Sequence, residues 1–299
     1  MGRLWGRYQG HIRSTNDMKN VGIIYNARIP EALDLTTAIL NQLELPQDSW
    51  IAPAENLETL RQRAEETDLV FTVGGDGTIL RAVQVTAPYN IPVVGVNMGR
   101  LGFMTGLQVH EALERLPIYL NGECRVEERN MLQARVVRGD SRVSEEEGPY
   151  HALNDVVLAR GAVSRVVTIA GTIDGEQLTT FRADAVILST ATGSTGYNLA
   201  VGGPILDPLS DSLVLKTVAA HMGLTAGLVL NGSSKVRLTL EGYQPAILSV
   251  DGYVDYPLEP GDWVELEQSP YKAKFLRANP PSYFYATLTR RLGFSIRGQ

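Results

Sequence analysis

Cysteine is nearly absent. Cys124 is the only one, so no disulfide can form within the chain, and such usage fits a reducing compartment and points to the cytoplasm. Cys124 sits in NGECRVEE with no catalytic partner beside it and reads as a structural or surface thiol. Long apolar runs are missing too: nothing approaches the roughly 18 residues of a transmembrane helix. The first stretch, MGRLWGRYQGHIRSTNDMKN, has no apolar signal core, and residues 1–19 read as a loose extension. There is no excess of positive charge. The formal net charge is −6, so no field draws a polyanion and nucleic acid is excluded as a nonspecific partner. No basic amphipathic segment suits a membrane surface. Two nucleotide signatures are also lacking: without a Gly-Lys pair there is no Walker A loop, and no G-x-G-x-x-G occurs. Internal repeats and low-complexity tracts are absent.

What is present is ordinary globular material. The chain has 299 residues, 44% hydrophobic and 20% charged, enough for two domains and a sizeable core. VGIIY (Val21 to Tyr25), LVFTV (Leu69 to Val73) and VVGV (Val93 to Val96) are short apolar runs of buried-strand type. Between and after them lie helical patterns: Pro30 onward with Ala32, Leu35, Ile39, Leu40 and Leu43 on one face, ENLETLRQRAEE, TILRAVQVTA and EALERL. Alternating strand and helix predicts an α/β N-terminal domain with a parallel sheet over 20–124. From Arg125 the pattern changes to strand-length segments such as MLQARVVR, LNDVVLAR, SRVVTIAGTI, ADAVILST, SKVRLTL and AILSV. The Asp-Gly pairs in IDGE and SVDGY suit tight hairpin turns. A mostly-β, sandwich-like C-terminal domain is expected over 125–268, with GDSRVSEEEGPY (Gly139 to Tyr150) as a surface loop. The segment 269–299 is expected to leave that domain and pack back on the first.

Two segments carry chemistry. The first is GGDGT: Gly74, Gly75, Asp76, Gly77 and Thr78 lie between a buried strand and a helix that also bears Arg81. Ligands gather at the carboxyl ends of parallel strands, glycines let a backbone approach phosphate oxygens, and a helix start offers free N–H groups and a positive dipole end. A carboxylate among phosphates must accept a proton or organise a metal or ligand. The other reading is a tight turn with Asp76 as a helix cap. The second segment is TATGSTGYNLAVGGPIL (Thr190 to Leu206), whose hydroxyls, glycines and single aromatic Tyr197 can wrap a polar ligand or simply form a turn.

Together these segments resemble the NAD kinase family, whose members show GGDGT, then Asn followed by an acidic residue, then TPTGSTAYSLSAGGPI. Asn154-Asp155 supplies the middle element, and VGIIYNARIPEAL, VGVNMGRLGFMT, FRADAVILST and SVDG follow family order. The likeness runs from Val21 to about Leu292. It implies ATP-dependent phosphorylation of the adenosine-ribose 2′-hydroxyl of NAD, with Mg²⁺ or another divalent cation accompanying ATP and no metal ligand set assigned to the chain. Residue by residue it implies Asp76 as proton acceptor, and Gly74, Gly75 and Gly77 at the phosphates with Thr78 and Arg81 as further binding positions. Asn154 and Asp155 match the pair at the NAD ribose. Arg165, Arg182 and Asp184 match further contacts, the last toward the nicotinamide. Thr195, Gly196, Tyr197, Asn198, Leu199 and Ala200 match the stretch around the dinucleotide, and Tyr253 a further contact. The partners implied are NAD, ATP and copies of the chain itself, as a homodimer or homotetramer.

The chain departs from the pattern at several places. Ala191 replaces the usual Pro, Gly196 replaces Ala, and Asn198 and Ala200 replace serines. The segment AHMGLTAGLVL keeps His221, which reads as structural, but lacks the family's Arg-Pro. Two other functions fit a GGDGT loop: a lipid or sphingoid-base kinase of the same layout, and a non-catalytic dinucleotide sensor.

Overall fold

The computed structural model describes residues 20–99, 102–139, 146–162, 165–221 and 224–292; the extension 1–19 lies outside them. The chain divides into two compact units, one comprising the residues up to Glu128 and those from Ala273 onward, the other Arg129–Lys272.

The first unit is an α/β domain. Its elements are β1 (Val21–Tyr25), α1 (Pro30–Gln42), β2 (Trp50–Pro53), α2 (Leu57–Ala64), β3 (Leu69–Gly74), α3 (Asp76–Thr86), β4 (Pro92–Asn97), β5 (Leu107–Gln108) and α4 (Ala112–Leu120). The strands run parallel in the order β2-β1-β3-β4, with β5 on the far edge of β4 at Val96 and Asn97. Each strand is a continuous apolar run because both faces are covered. Val21, Ile23, Leu69, Phe71, Val73, Val94 and Val96 meet Ala32, Ile39, Leu116 and Tyr119 of α1 and α4 in one core. On the opposite face Ile24 and Val70 lie near Leu60, Ala64 and Val85 of α2 and α3. Gly22 is required there: a side chain at that position would overlap the Trp50 indole, whose Nε1–H donates to Thr67 at 3.0 Å. WIAP of β2 ends in Pro53 and alternates buried and exposed positions, and its strand is visible through its pairing with β1.

The second unit is largely antiparallel β. It contains most of β6 (Arg125–Val137), then β7 (Glu146–Ala152), β8 (Asp155–Arg160), β9 (Val167–Ile173), β10 (Glu176–Ala183), β11 (Ala185–Ser189), the short α5 (Tyr197–Ala200), β12 (Leu213–Val218), β13 (Leu228–Leu230), β14 (Val236–Glu241), β15 (Ala246–Val250), β16 (Val254–Leu258) and most of β17 (Trp263–Arg277). One sheet runs β13-β12-β11-β8-β15-β16, and the other holds β10-β9-β14-β17 with β6 and β7. Alternate residues of both sheets, among them Leu132, Leu158, Ile169, Phe181, Leu188, Leu215, Leu238, Leu248 and Val264, form one core, the arrangement of a sandwich. The IDGE turn is a two-residue hairpin: Ile173 pairs with Glu176, and Asp174 and Gly175 take φ of 52° and 90°.

One expectation is corrected. GDSRVSEEEGPY is not a loop throughout, because Glu146 to Tyr150 belong to β7, which pairs antiparallel with β6. Gly-Pro and a glutamate run argue for a loop locally, but the ladder offered by β6 outweighs them. Residues 140–145 of that stretch lie outside the described set. The end of β17 belongs to the first unit, where Lys274 and Phe275 pair with Pro92 and Val93 of β4, and α6 (Tyr283–Arg291) follows.

Candidate active site

The strand order places GGDGT at a switch point. From β1 the chain moves outward to β2, then returns to β3 on the other side of β1, so the loops after β1 and β3 leave the carboxyl edge in opposite directions. A crevice at such a point is where open parallel sheets bind ligands. Asn26, the first residue after β1, donates its N–H to the Val73 carbonyl at 2.9 Å. Gly74 sits tightly here, since a Cβ would overlap the Thr78 hydroxyl and lie 3.2 Å from Asn26. Gly75 and Gly77 differ: apart from their chain neighbours and the backbone of their own helix, no described atom lies within 4 Å of where their Cβ would be, and neither has a positive φ. The fold therefore does not demand glycine at either position. What glycine leaves there is room for close approach.

Asp76 is the first residue of α3 rather than its cap; Gly75 is the N-cap and makes no side-chain cap bond. The half-buried Asp76 carboxylate instead accepts the Phe103 N–H at 3.0 Å on Oδ2 and the Met104 N–H at 3.2 Å on Oδ1. Each oxygen keeps a lone pair for another donor. Gly102 makes this possible, because a side chain there would overlap the carboxylate. The contribution of Gly102, Phe103 and Met104 has no signal in the GGDGT motif, which they reach across 27 and 28 residues of chain. Thr78 is buried against Gly74, and Arg81 is half-buried one turn further along α3.

In the second unit, GST and ND form one constellation. The Asn154 carbonyl accepts the Thr190 N–H at 2.9 Å and the Ser189 hydroxyl at 3.3 Å. Thr190 Oγ1 donates to the Leu153 carbonyl at 2.6 Å and accepts the Gly193 N–H at 3.0 Å. Gly193 lies so close on the Asn154 backbone that no Cβ fits, while the Cβ position of Gly196 is 3.7 Å from the Asn154 amide nitrogen and 3.8 Å from Asp155 Oδ2. Thr195 is half-buried in the same turn, its hydroxyl bonded to the Thr192 carbonyl at 3.1 Å. Tyr197 and Ala200 are exposed and Leu199 is half-buried. Asn198 is fully buried: its amide donates to the Ser194 and Pro204 carbonyls at 3.0 and 2.9 Å, so its side chain ties the loop together instead of facing outward.

Asp251 organises this constellation and carries no role in the motif reading. Its carboxylate accepts three backbone N–H groups, from Leu153 at 2.8 Å, Asn154 at 2.8 Å and Asp155 at 3.1 Å. It holds a φ of 50° in the SVDG turn that also carries Tyr253, a conformation Asp tolerates better than most residues. Burial pushes the Asp251 carboxyl up to about 6, against the pull of those three N–H groups. Burial, and then the neighbouring Asp251 charge, pushes Asp155 up to about 7.

The remaining residues lie elsewhere in the unit. Asp155 pairs with Ser189 at one end of the β8–β11 ladder and Ala159 with Ala185 at the other, so the ends are ~13 Å apart at the usual rise per residue. Asp184 is at the second end, ion-paired to Arg160 at 3.3 Å. Arg182 is exposed on β10, its carbonyl accepting the His221 N–H at 2.7 Å, and Arg165 is exposed before β9. Cys124 is half-buried, and burial pushes its thiol up to about 11, so it stays protonated and unreactive near neutrality.

The family described as the ATP-NAD kinase N-terminal domain matches residues 40–124, and the ATP-NAD kinase C-terminal domain matches residues 153–278. The NAD kinase of Dehalococcoides mccartyi (strain CBDB1) is 39% identical over 275 residues, covering 92% of this chain and 96% of that protein. The chain belongs to the NAD kinase family. As such it is an ATP:NAD 2′-phosphotransferase. The NAD kinase of Chloroflexus aggregans (strain MD-66 / DSM 9485) is 40% identical over 285 residues, with 92% and 99% of the two chains covered. Among solved structures, yeast NADH kinase complexed with NADH is similar at a TM-score of 0.78 and 25% identity, covering 94% of this chain and 90% of that one. An NAD kinase from Archaeoglobus fulgidus in complex with ATP has the same fold, at a TM-score of 0.74 and 23% identity, covering 92% and 100%. Among the described residues of this kinase no helix is long and apolar enough to cross a membrane.

Proposed function

We propose that this chain moves the γ-phosphoryl group of ATP to the adenosine-ribose 2′-hydroxyl of NAD, giving NADP and ADP, with Asp76 as the proton acceptor. The observation that carries the assignment is the Asp76 carboxylate, fixed by two N–H groups at the switch point and flanked by Gly75 and Gly77, whose Cβ positions meet no described atom. The sugar oxygen bonds to phosphorus, the bond from the γ-phosphorus to the bridging oxygen breaks, ADP leaves, and the hydroxyl proton passes to Asp76. Phosphoryl transfer depends on positioning and charge neutralisation more than on covalent chemistry. A carboxylate within reach of a weak nucleophile contributes roughly a hundred- to ten-thousandfold.

Gly74, Gly75 and Gly77 take the donor phosphates at the start of α3, with Thr78 supporting the loop by packing on Gly74 and Arg81 adding charge. Asn154 and Asp155 hold the NAD ribose, and Thr195 to Ala200 and Tyr253 surround the dinucleotide. Arg165, Arg182 and Asp184 make further contacts with it, Asp184 toward the nicotinamide. A dinucleotide is an extended ligand, and the separation between the two ends of β8 suits its two nucleoside halves. Among the described residues no three His, Cys, Asp or Glu side chains form a metal cage. A Mg²⁺ ion arriving with ATP would be placed by the Gly74–Gly77 phosphate loop. Bound there, it would offset charge developing on the phosphates. The enzyme works in the cytoplasm as a homodimer or homotetramer.

The test is direct. Protein, ATP, Mg²⁺ and NAD are incubated and NADP is measured, with Asp76→Asn alongside. NADP formation by the native chain and its near-complete loss in the variant, with the fold and NAD binding retained, are expected. Full turnover in Asp76→Asn removes Asp76 from the chemistry.

A further inference from the structure

The carbonyls of Phe103 and Met104, the two residues whose N–H groups hold Asp76, are themselves held by arginines. Arg291 Nη1 donates to the Phe103 carbonyl at 3.3 Å, and its guanidinium lies 5.5 Å from the Phe103 ring centroid. Arg277 Nη2 donates to the Met104 carbonyl at 2.8 Å. The peptide joining Phe103 to Met104 thus bonds Arg291 through its oxygen and Asp76 through its nitrogen. The two groups of a trans peptide point in opposite directions within its plane, so Arg291 and Asp76 lie at opposite edges of one rigid peptide. Hydrogen bonds in such a chain polarise one another.

Arg277 is anchored in turn. Its Nε lies 3.2 Å from Glu127, and the two side chains are 11% and 6% exposed. Glu127 also meets Arg125 at 2.7 Å, and Arg125 donates to the Asn279 carbonyl at 2.9 Å. Gly106 allows this approach, since its Cβ would lie 3.1 Å from Arg277 Nη1. Both arginines come from the last stretch of chain, at the end of β17 and the end of α6, far in sequence from GGDGT.

We propose that Arg291 and Arg277 are positioning residues for phosphoryl transfer: the C-terminal segment sets the 102–104 loop, and through it the orientation of the Asp76 carboxylate. The proposal rests on Asp76 being the proton acceptor. Neither arginine donates to Asp76 in the bonds described above, so their effect travels through the two peptides. A misplacement of about 1 Å in a reacting group can lower a rate on the order of a hundredfold, and losing one of two guanidinium anchors is expected to lower kcat about tenfold.

The experiment measures NADP formation by the full-length enzyme for Arg291→Ala, Arg291→Lys, Arg277→Lys, Asp76→Asn and the double variant Arg291→Ala/Asp76→Asn. Arg291→Ala should lose about tenfold in kcat with both KM values within about twofold, and Arg291→Lys should recover most of it. Arg277→Lys keeps a charge for Glu127 but lacks the fork that serves two acceptors, and should show the same kcat defect. Adding Arg291→Ala to Asp76→Asn should cost nothing further, because residues acting as a unit are non-additive. The same fold-loss in the Asp76→Asn background, or a raised KM at unchanged kcat, overturns the proposal. Full turnover in Asp76→Asn would instead overturn the role of Asp76, whereas an inactive Asp76→Asn beside fully active arginine variants would sink the positioning role alone.

Discussion

Asp251 and Asp155 hold each other reciprocally. The Asp251 N–H donates to the Asp155 carbonyl at 3.0 Å, and Asp251 Oδ1 accepts the Asp155 N–H at 3.1 Å. The SVDG turn is thereby locked to the start of β8, and the locking residue is itself a buried carboxylate. The backbone presenting Asn154 and Asp155 takes its shape from a residue that the ND motif does not contain.

Removing that carboxylate should loosen the whole corner. Asp251→Ala leaves the N–H groups of Leu153, Asn154 and Asp155 without their acceptor, and an unsatisfied buried donor costs about 1–3 kcal/mol. Relief of the buried charge offsets part of this, so a net loss of about 1–3 kcal/mol is expected, together with a raised KM for NAD. Chemical denaturation at pH 8 and steady-state kinetics check both; unchanged stability would mean the three bonds contribute little.

The buried pair also sets a pH dependence. Asp155 and Asp251 have an ordinary value of 3.8 and are raised to about 7 and about 6 in the fold. Between pH 4 and 7 the native state therefore holds more protons than the unfolded state, and stability falls as pH rises. Their contribution is complete below pH 4 and lost as pH passes 6 and 7. Asp155→Asn should flatten this slope, being more stable than the native chain at pH 8 and losing that advantage toward pH 5. Melting temperatures across that range decide it, and parallel curves for the two proteins would contradict the assignment.

Neighbouring glycines should behave in opposite ways. Gly74→Ala drives a Cβ into Thr78 and should cost about 1–3 kcal/mol. Gly77→Ala meets no described atom within 4 Å and sits in the first turn of a helix, where Ala is favoured over Gly by up to about 1 kcal/mol. It should melt at or above the native temperature yet raise the KM for ATP. Normal ATP kinetics in a well-folded Gly77→Ala would show that Gly77 does not face the donor phosphates.

Substrate assignment separates at Asn154 and Asp155. Replacing both with Ala should raise the KM for NAD about tenfold, equivalent to ~1.4 kcal/mol of binding, with a smaller change for ATP. Initial rates with each substrate varied in turn measure the split, and the reverse pattern would place the pair at the other substrate.

Local order was legible where the physics is local. Apolar runs at Val21, Leu69 and Val93 predict strands because a parallel sheet buried on both faces needs apolar residues at every position. Asp174-Gly175 predicts a hairpin because both residues tolerate positive φ. Glycines on either side of Asp76 leave room for close approach because a missing side chain admits a neighbour that a Cβ would exclude. Tertiary structure alone decided the partners of each polar group. Asp251 reaches Leu153 across 98 residues, Arg291 reaches Phe103 across 188, and Asn198 turns into its own loop. Such bonds depend on strand register and on where a distant segment returns. A residue's type supplies donors and acceptors but does not say which groups the folded chain brings within 3 Å.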